Sequence, residues 1–145
     1  MIHSLINIKN AEVTKVIAGG GNGSILLIDF ETRIEKYVIY IYCTWRLTLK
    51  INALSSSVDN LENPSSLSVV ELKKLVGDTI IEISANELGD FSIFLKSGKR
   101  LDVFCDITST DDSEENRENW TLCNINKNEC YSYTHRFDFY KESYS

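Results

Sequence analysis

One pattern is written twice in this chain. Residues 16–45 run as strand, glycine-containing turn, apolar strand, connection, apolar strand, and residues 80–106 run the same way. Setting Gly23 against Gly89 lays residues 24–28 over residues 90–94. After the connection, residues 37–43 answer residues 101–105, and the second copy has the shorter connection. The agreement is one of pattern more than identity. It predicts a mainly β (α+β) fold: an internally duplicated antiparallel sheet, as a sandwich or a partly open barrel, with one short helix packed on it.

The chain of 145 residues fits a single domain over 1–145. Within it we expect a first β unit over 13–50 and a connector with the helix over 51–78. A second β unit follows over 79–124, interrupted by an acidic loop at 108–119, and then a final strand over 131–140. Hydrophobic residues make up 43% and charged residues 25%, enough apolar material for a core without disulfide or metal staples.

Alternation sets the local expectations. Residues 37–49 read as one long strand with Val38, Tyr40 and Tyr42 on one face and Tyr37, Ile39, Ile41 and Cys43 on the other. By the same rule Trp45 points into the core and Arg46 into solvent, or the reverse. Residues 4–8 read as an edge strand or a short lead-in. Residues 52–68, rich in Ser and Asn and holding the only proline, Pro64, read as a connector. The helix follows, with Ser68 as N-cap, Glu71 completing a capping box, Lys73 and Lys74 near the C-terminal end and Gly77 as its stop. Val69, Leu72 and Val76 are the residues expected against the sheet. The Gly19–Gly23 run is a turn, since an apolar strand follows it where a phosphate-cradling loop needs a helix.

The net charge of −6 narrows the partners. Such a surface repels phosphate backbones, so nucleic acid is not an expected ligand. It attracts a basic protein and speeds the encounter, and it also serves plain solubility. The N-terminus has no basic start, apolar core or small-residue cleavage site, and no apolar run reaches about 18 residues. The expectation is a cytoplasmic protein that does not enter a membrane, as monomer or homodimer.

Four cysteines stand at 43, 105, 123 and 130. In the cytoplasm the default is a reduced thiol acting as a small buried hydrophobe, although Cys123 and Cys130 flank a turn and can face each other across a hairpin. No C-x₂-C spacing occurs and only His3 and His135 are available, so neither a metal nor a cofactor is expected. A Cys–His nucleophile would need Cys43 or Cys105 beside His135, and apolar strands disfavour the thiolate.

The acidic segment remains. Asp106, Asp111, Asp112, Glu114, Glu115 and Glu118 fall within thirteen residues, relieved by Arg117. Its plain reading is a solvated loop. Its functional reading is a patch that docks on a basic protein surface, with Trp120 as an aromatic anchor at the edge. Calcium is a poor fit because the D-x-[DN]-x-[DN]-G register is missing.

The run Gly89-Asp90-Phe91-Ser92-Ile93-Phe94-Leu95, then Gly98, Leu101-Asp102-Val103-Phe104 and Glu118-Asn119-Trp120 resembles small acidic immunity proteins of bacterial polymorphic-toxin and contact-dependent inhibition systems. The likeness covers residues 80–122 and, loosely, the first copy. It implies a dedicated inhibitor that binds a cognate toxin domain, often a nuclease, and no enzyme. It transfers no functional residue, so the docking residues come from charge. The alternative is a small-molecule-binding β domain with a pocket between the two copies.

Overall fold

The computed structural model describes residues 5, 7–18, 25–59, 61–108, 118–134 and 136–143. Its elements are β1 (Glu12–Ala18), β2 (Leu26–Glu31), β3 (Lys36–Ile41), β4 (Thr44–Leu49), β5 (Asn52–Ser56), α1 (Leu67–Lys73), β6 (Ile80–Ala85), β7 (Phe91–Leu95), β8 (Lys99–Phe104), β9 (Glu118–Asn124), β10 (Glu129–Thr134) and β11 (Phe139–Ser143). A six-stranded sheet has the order β1-β2-β3-β9-β10-β11, and a five-stranded sheet the order β5-β4-β8-β7-β6. All neighbours are antiparallel. The two sheets share one core, and no barrel closes among the described residues.

The duplication is present and interlocked. Each copy builds a meander in its own sheet, β1-β2-β3 or β6-β7-β8, and then sends its next strand into the other sheet. Thus β4 pairs with β8, and β9 pairs with β3. The registers correspond rung by rung. Ile41 opposite Trp120 answers Val103 opposite Trp45, and Ile39 opposite Leu122 answers Leu101 opposite Leu47. Trp120 therefore holds the place in its copy that Trp45 holds in the other.

The glycine alignment needs a one-residue correction. Leu26 pairs with Ile41 and Phe91 with Val103, so Leu26 corresponds to Phe91 and Ile28 to Ile93. The side-chain period is two, and a slip of one would turn every buried residue outward. The expected long strand over 37–49 is also divided. Between β3 and β4 the chain changes sheets at Tyr42–Cys43, where both N–H groups donate to the Asn119 carbonyl. Asn119 is wholly buried. Its side-chain amide donates to the Ile107 and Thr134 carbonyls and accepts from the Ile107 N–H, which fixes the crossing.

Both tryptophans are fully buried, each contributing about 4–6 kcal/mol of apolar burial. Trp120 Nε1 donates to the Gly89 carbonyl at 2.9 Å. Its ring meets Phe91 edge-on at 5.3 Å and stacks on Tyr133 at 6.1 Å. Gly89 has φ +85°, and a Cβ there would fall 2.3 Å from the Tyr133 ring, so no other residue fits.

Other expectations are revised locally. The N-cap is Ser66, whose hydroxyl accepts from Val69 N–H, while the Ser68 hydroxyl donates to Asp59. Val69, Leu72 and Leu75 are buried and Val76 is 49% exposed, because the turn after Lys73 rotates Val76 away. Lys50 takes φ 55° and starts a hairpin, so Asn52–Ser56 is a strand despite its connector-like composition. Leu5 and Ile8 plug the core at a turn. The expected strand over 131–140 is two strands, β10 and β11, separated by a turn with Phe137 at φ 57°. The Gly19–Gly23 turn, His3 and His135 lie outside the described residues. No helix among the described residues is long and apolar enough to cross a membrane.

Candidate functional site

The outer face of the six-stranded sheet is hollowed where that of the five-stranded sheet is filled. Equivalent rungs show why. In the first, Tyr40 faces Thr121 and Val38 faces Cys123; in the second, Asp102 faces Arg46 and Arg100 faces Thr48. Short or neutral side chains leave a depression of about 400 Å³ over β3, β9 and β10. On the other sheet Asp102, 3% exposed, accepts from Arg100 Nε at 2.7 Å and from the Ser92 hydroxyl, with Arg46 at 3.9 Å. The two guanidinium groups lie over Phe104 and Phe94 at 5.6 and 5.4 Å, closing that face.

The floor of the hollow is a small second apolar cluster. Cys123 and Cys130 face each other on β9 and β10 and are joined by a disulfide, with Val38, Leu27 and Tyr40 packed around it. This corrects the expectation of reduced thiols for that pair: the hairpin register places both sulfurs on one face of neighbouring strands. Tyr40 and Tyr42, two residues apart on β3 and its exit, stack at 6.4 Å along the wall. A second hollow of about 400 Å³ adjoins the first, sharing Val38, Tyr40 and Ile125 with it.

The polar groups are ordered. The Thr121 hydroxyl donates to Glu118 Oε2 at 2.8 Å and lies 2.8 Å from the Ser132 hydroxyl. Thr121 has one proton to give, so Ser132 is the donor to it, and a hydroxyl relay ends on the carboxylate. Among the described residues Glu118, Glu129 and Glu142 line the hollow, and no Lys or Arg does. Lys141, bonded to Glu129 at 3.1 Å, holds that carboxyl below its usual range, with a further hydrogen bond from Tyr131 acting in the same direction.

The expected docking residues are placed unequally. Glu118 stands in the wall of the hollow. Asp106 is exposed, but its carboxylate accepts from the Thr44 backbone at 3.2 Å and from the Thr44 hydroxyl, so it also pins the strand crossing. It borders a smaller hollow of about 240 Å³ that Tyr42 shares with the main one. Trp120 has no surface and is withdrawn as an anchor: its role is the core. Asp111, Asp112, Glu114 and Glu115 lie outside the described residues. The pocket expected between the copies is occupied by Trp45, Trp120, Phe30 and their neighbours. Tyr42, Ser132 and the disulfide are site residues that charge alone does not reveal. The shared face of Val38, Tyr40 and Tyr42 was the available signal.

Among the described residues no group of three or more Cys, His, Asp or Glu is arranged to hold a metal. Searches against protein-family models, curated proteins and solved structures each give no match.

Proposed function

We propose that this chain is an immunity-type inhibitor that binds a cognate bacterial toxin domain, a nuclease in the first instance, and occludes its active site without any covalent step. The observation that carries the reading is the setting of the acidic segment. Its two described ends, Glu118 and Asp106, each line one of two hollows that share Tyr42, and among the described residues the larger hollow has three carboxylates and no basic side chain in its wall. A nuclease cleft built to hold phosphates is basic and complements such a surface, and charge of this kind gives fast, salt-sensitive association. Stacked tyrosines supply rigid aromatic area beside it. In this reading the partner is a basic protein, with no part for nucleic acid, membrane, metal or cofactor.

The test begins with the gene beside this one, which is expected to encode the toxin. Co-expression of that toxin domain with this chain restores growth, and the purified pair forms a complex weakened by salt. Replacing Asp111, Asp112, Glu114 and Glu115 with Ser weakens the complex and leaves the unfolding midpoint in place. A neighbouring toxin that ignores this chain contradicts the proposal, as does a neighbourhood without a toxin.

The proposed compartment is the cytoplasm of the producing cell. The Cys123–Cys130 disulfide argues for an oxidising one. Thiol trapping in intact cells decides: both cysteines captured as thiols fits the cytoplasm, and a closed bond assigns the chain elsewhere. A small-molecule-binding domain is the second reading, favoured by the size of the hollow, about 400 Å³. A ligand that binds there with no effect on the toxin would select it.

A further inference from the structure

A second cysteine pair lies where the two copies cross. The β4–β8 ladder runs Arg46 opposite Asp102, Trp45 opposite Val103 and Thr44 opposite Phe104. One step further along the same antiparallel register, Cys43 falls opposite Cys105. Alternation puts both on the core side with Trp45 and Val103. The two side chains are close enough for Cys105 to raise the Cys43 thiol. Both are free in this structure, Cys43 buried and Cys105 partly exposed.

The backbone at this step is not tied into the ladder. Cys43 N–H donates to the Asn119 carbonyl at 3.2 Å, and Cys105 N–H to the Asp90 carboxylate at 2.6 Å. No ladder hydrogen bond from either N–H fixes the spacing between the strands here, so they can adjust to the short span a disulfide requires. The Cys123–Cys130 bond shows the same relation, two cysteines opposite one another on antiparallel neighbours, already closed in the other sheet.

We propose that Cys43 and Cys105 are a reversible dithiol site, oxidised by exchange with a small disulfide such as glutathione disulfide, and that the bond they form staples the crossing of the two copies. Cys105 is the entry point because it alone of the two is partly exposed. Its thiolate attacks one sulfur of the glutathione disulfide, forming a mixed disulfide and releasing one glutathione thiolate. Cys43 then attacks the Cys105 sulfur, the intramolecular bond forms, and the second glutathione leaves. Two protein thiols lose two electrons, one glutathione disulfide gains them, and the two thiol protons pass to the departing glutathiones. Cys105 beside it, and burial after that, push the Cys43 thiol well above the usual thiol range. This makes Cys43 a poor first nucleophile. Once Cys105 carries glutathione, Cys43, opposite it on the neighbouring strand, is the thiol placed to act second.

The wild-type protein is incubated with glutathione disulfide, its remaining thiols are alkylated, and its intact mass and peptide map are read. The expected result is loss of both free thiols without a retained glutathione adduct, a peptide linking Cys43 to Cys105, and reversal by dithiothreitol. In Cys43→Ser, Cys105 is expected to retain one glutathione, because the resolving thiol is gone. The oxidised wild type should unfold at higher urea than the reduced protein with Cys123–Cys130 intact, and Cys105→Ser should show no such shift. Two alkylatable thiols surviving in the wild type, or stable adducts on both cysteines, would overturn the proposal. So would a peptide joining either of them to Cys123 or Cys130.

Discussion

The two outer faces of this molecule are built on the same rungs and end in opposite states. On the five-stranded sheet a buried carboxylate, Asp102, gathers Ser92, Arg100 and Arg46, and the guanidinium groups lie down on Phe94 and Phe104. That face satisfies itself. On the six-stranded sheet the equivalent positions hold Val38, Tyr40, Thr121 and Cys123, whose side chains leave a hollow edged by Glu118, Glu129 and Glu142. The repeated registers give both faces the same backbone, and different side chains at four rung positions make one face closed and the other open. The closed face ties its charges to one another beneath flat guanidinium groups, while the open one presents hydroxyls, stacked rings and carboxylates, with Glu129 paired to Lys141.

The largest expected effect tests whether the two copies are equivalent at their centres. Trp45→Ala and Trp120→Ala should each cost about 3–5 kcal/mol in urea unfolding. Of the Trp120→Ala cost, about 1 kcal/mol is the hydrogen bond from the indole to the Gly89 carbonyl. Because each copy lends a strand to the other sheet, both variants should still unfold in one transition. Two separate transitions would break the interlocked description.

Opening the Cys123–Cys130 bond comes next. It closes a loop of separation 7 on the six-stranded sheet, and the Cys123→Ser, Cys130→Ser double variant should lose about 2–3 kcal/mol. Asp102→Ala probes the other face. It should cost about 1–3 kcal/mol by stripping Arg100, Arg46 and Ser92 of a buried acceptor. Tyr40→Ala, on the equivalent rung, should cost less and act on binding instead. If Asp102→Ala were neutral, the closed face would not be held by its ion cluster.

The smallest effect concerns pH. Hydrogen bonding from Tyr37 lowers the Glu35 carboxyl below 4.5, with Lys127 and Asn124 adding to it, and Lys141 lowers Glu129. A carboxyl depressed in the folded state adds stability that is complete above 4.5 and is lost as pH falls through its folded value. Urea midpoints measured from neutral pH downward should therefore decline below 4.5. Glu35→Gln should be less stable at neutral pH and show a shallower decline. An unchanged acid limb would remove Glu35 from the account.

The sequence carried the architecture because alternation and the repeated unit are local signals. It put Trp45 and Arg46 on opposite faces, and Val38, Tyr40 and Tyr42 on one face. The errors arose where a non-local partner decides. Nothing before Tyr42 announces that the chain changes sheets, since the clamp is Asn119, far along the sequence. Lys50 and Phe137 adopt positive φ without being glycine, so composition alone shows a connector at β5 and a single strand over β10–β11. The helix cap moved by two residues because Ser66 and Ser68 are chemically alike, and Asp59 claims the second. Proximity to acidic residues along the chain points Trp120 to a docking edge. Its bond to Gly89 across the core is invisible to composition.

The most direct test is the affinity of the neighbouring-gene toxin for two variants that change one outer face each. Tyr40→Ala with Glu118→Gln alters the open face, and Arg46→Gln with Phe104→Ser the closed one. The account predicts a loss of about tenfold or more for the first pair, with weaker salt dependence, and an unchanged affinity for the second. Full affinity with the open face altered, and loss with the closed face altered, would contradict it.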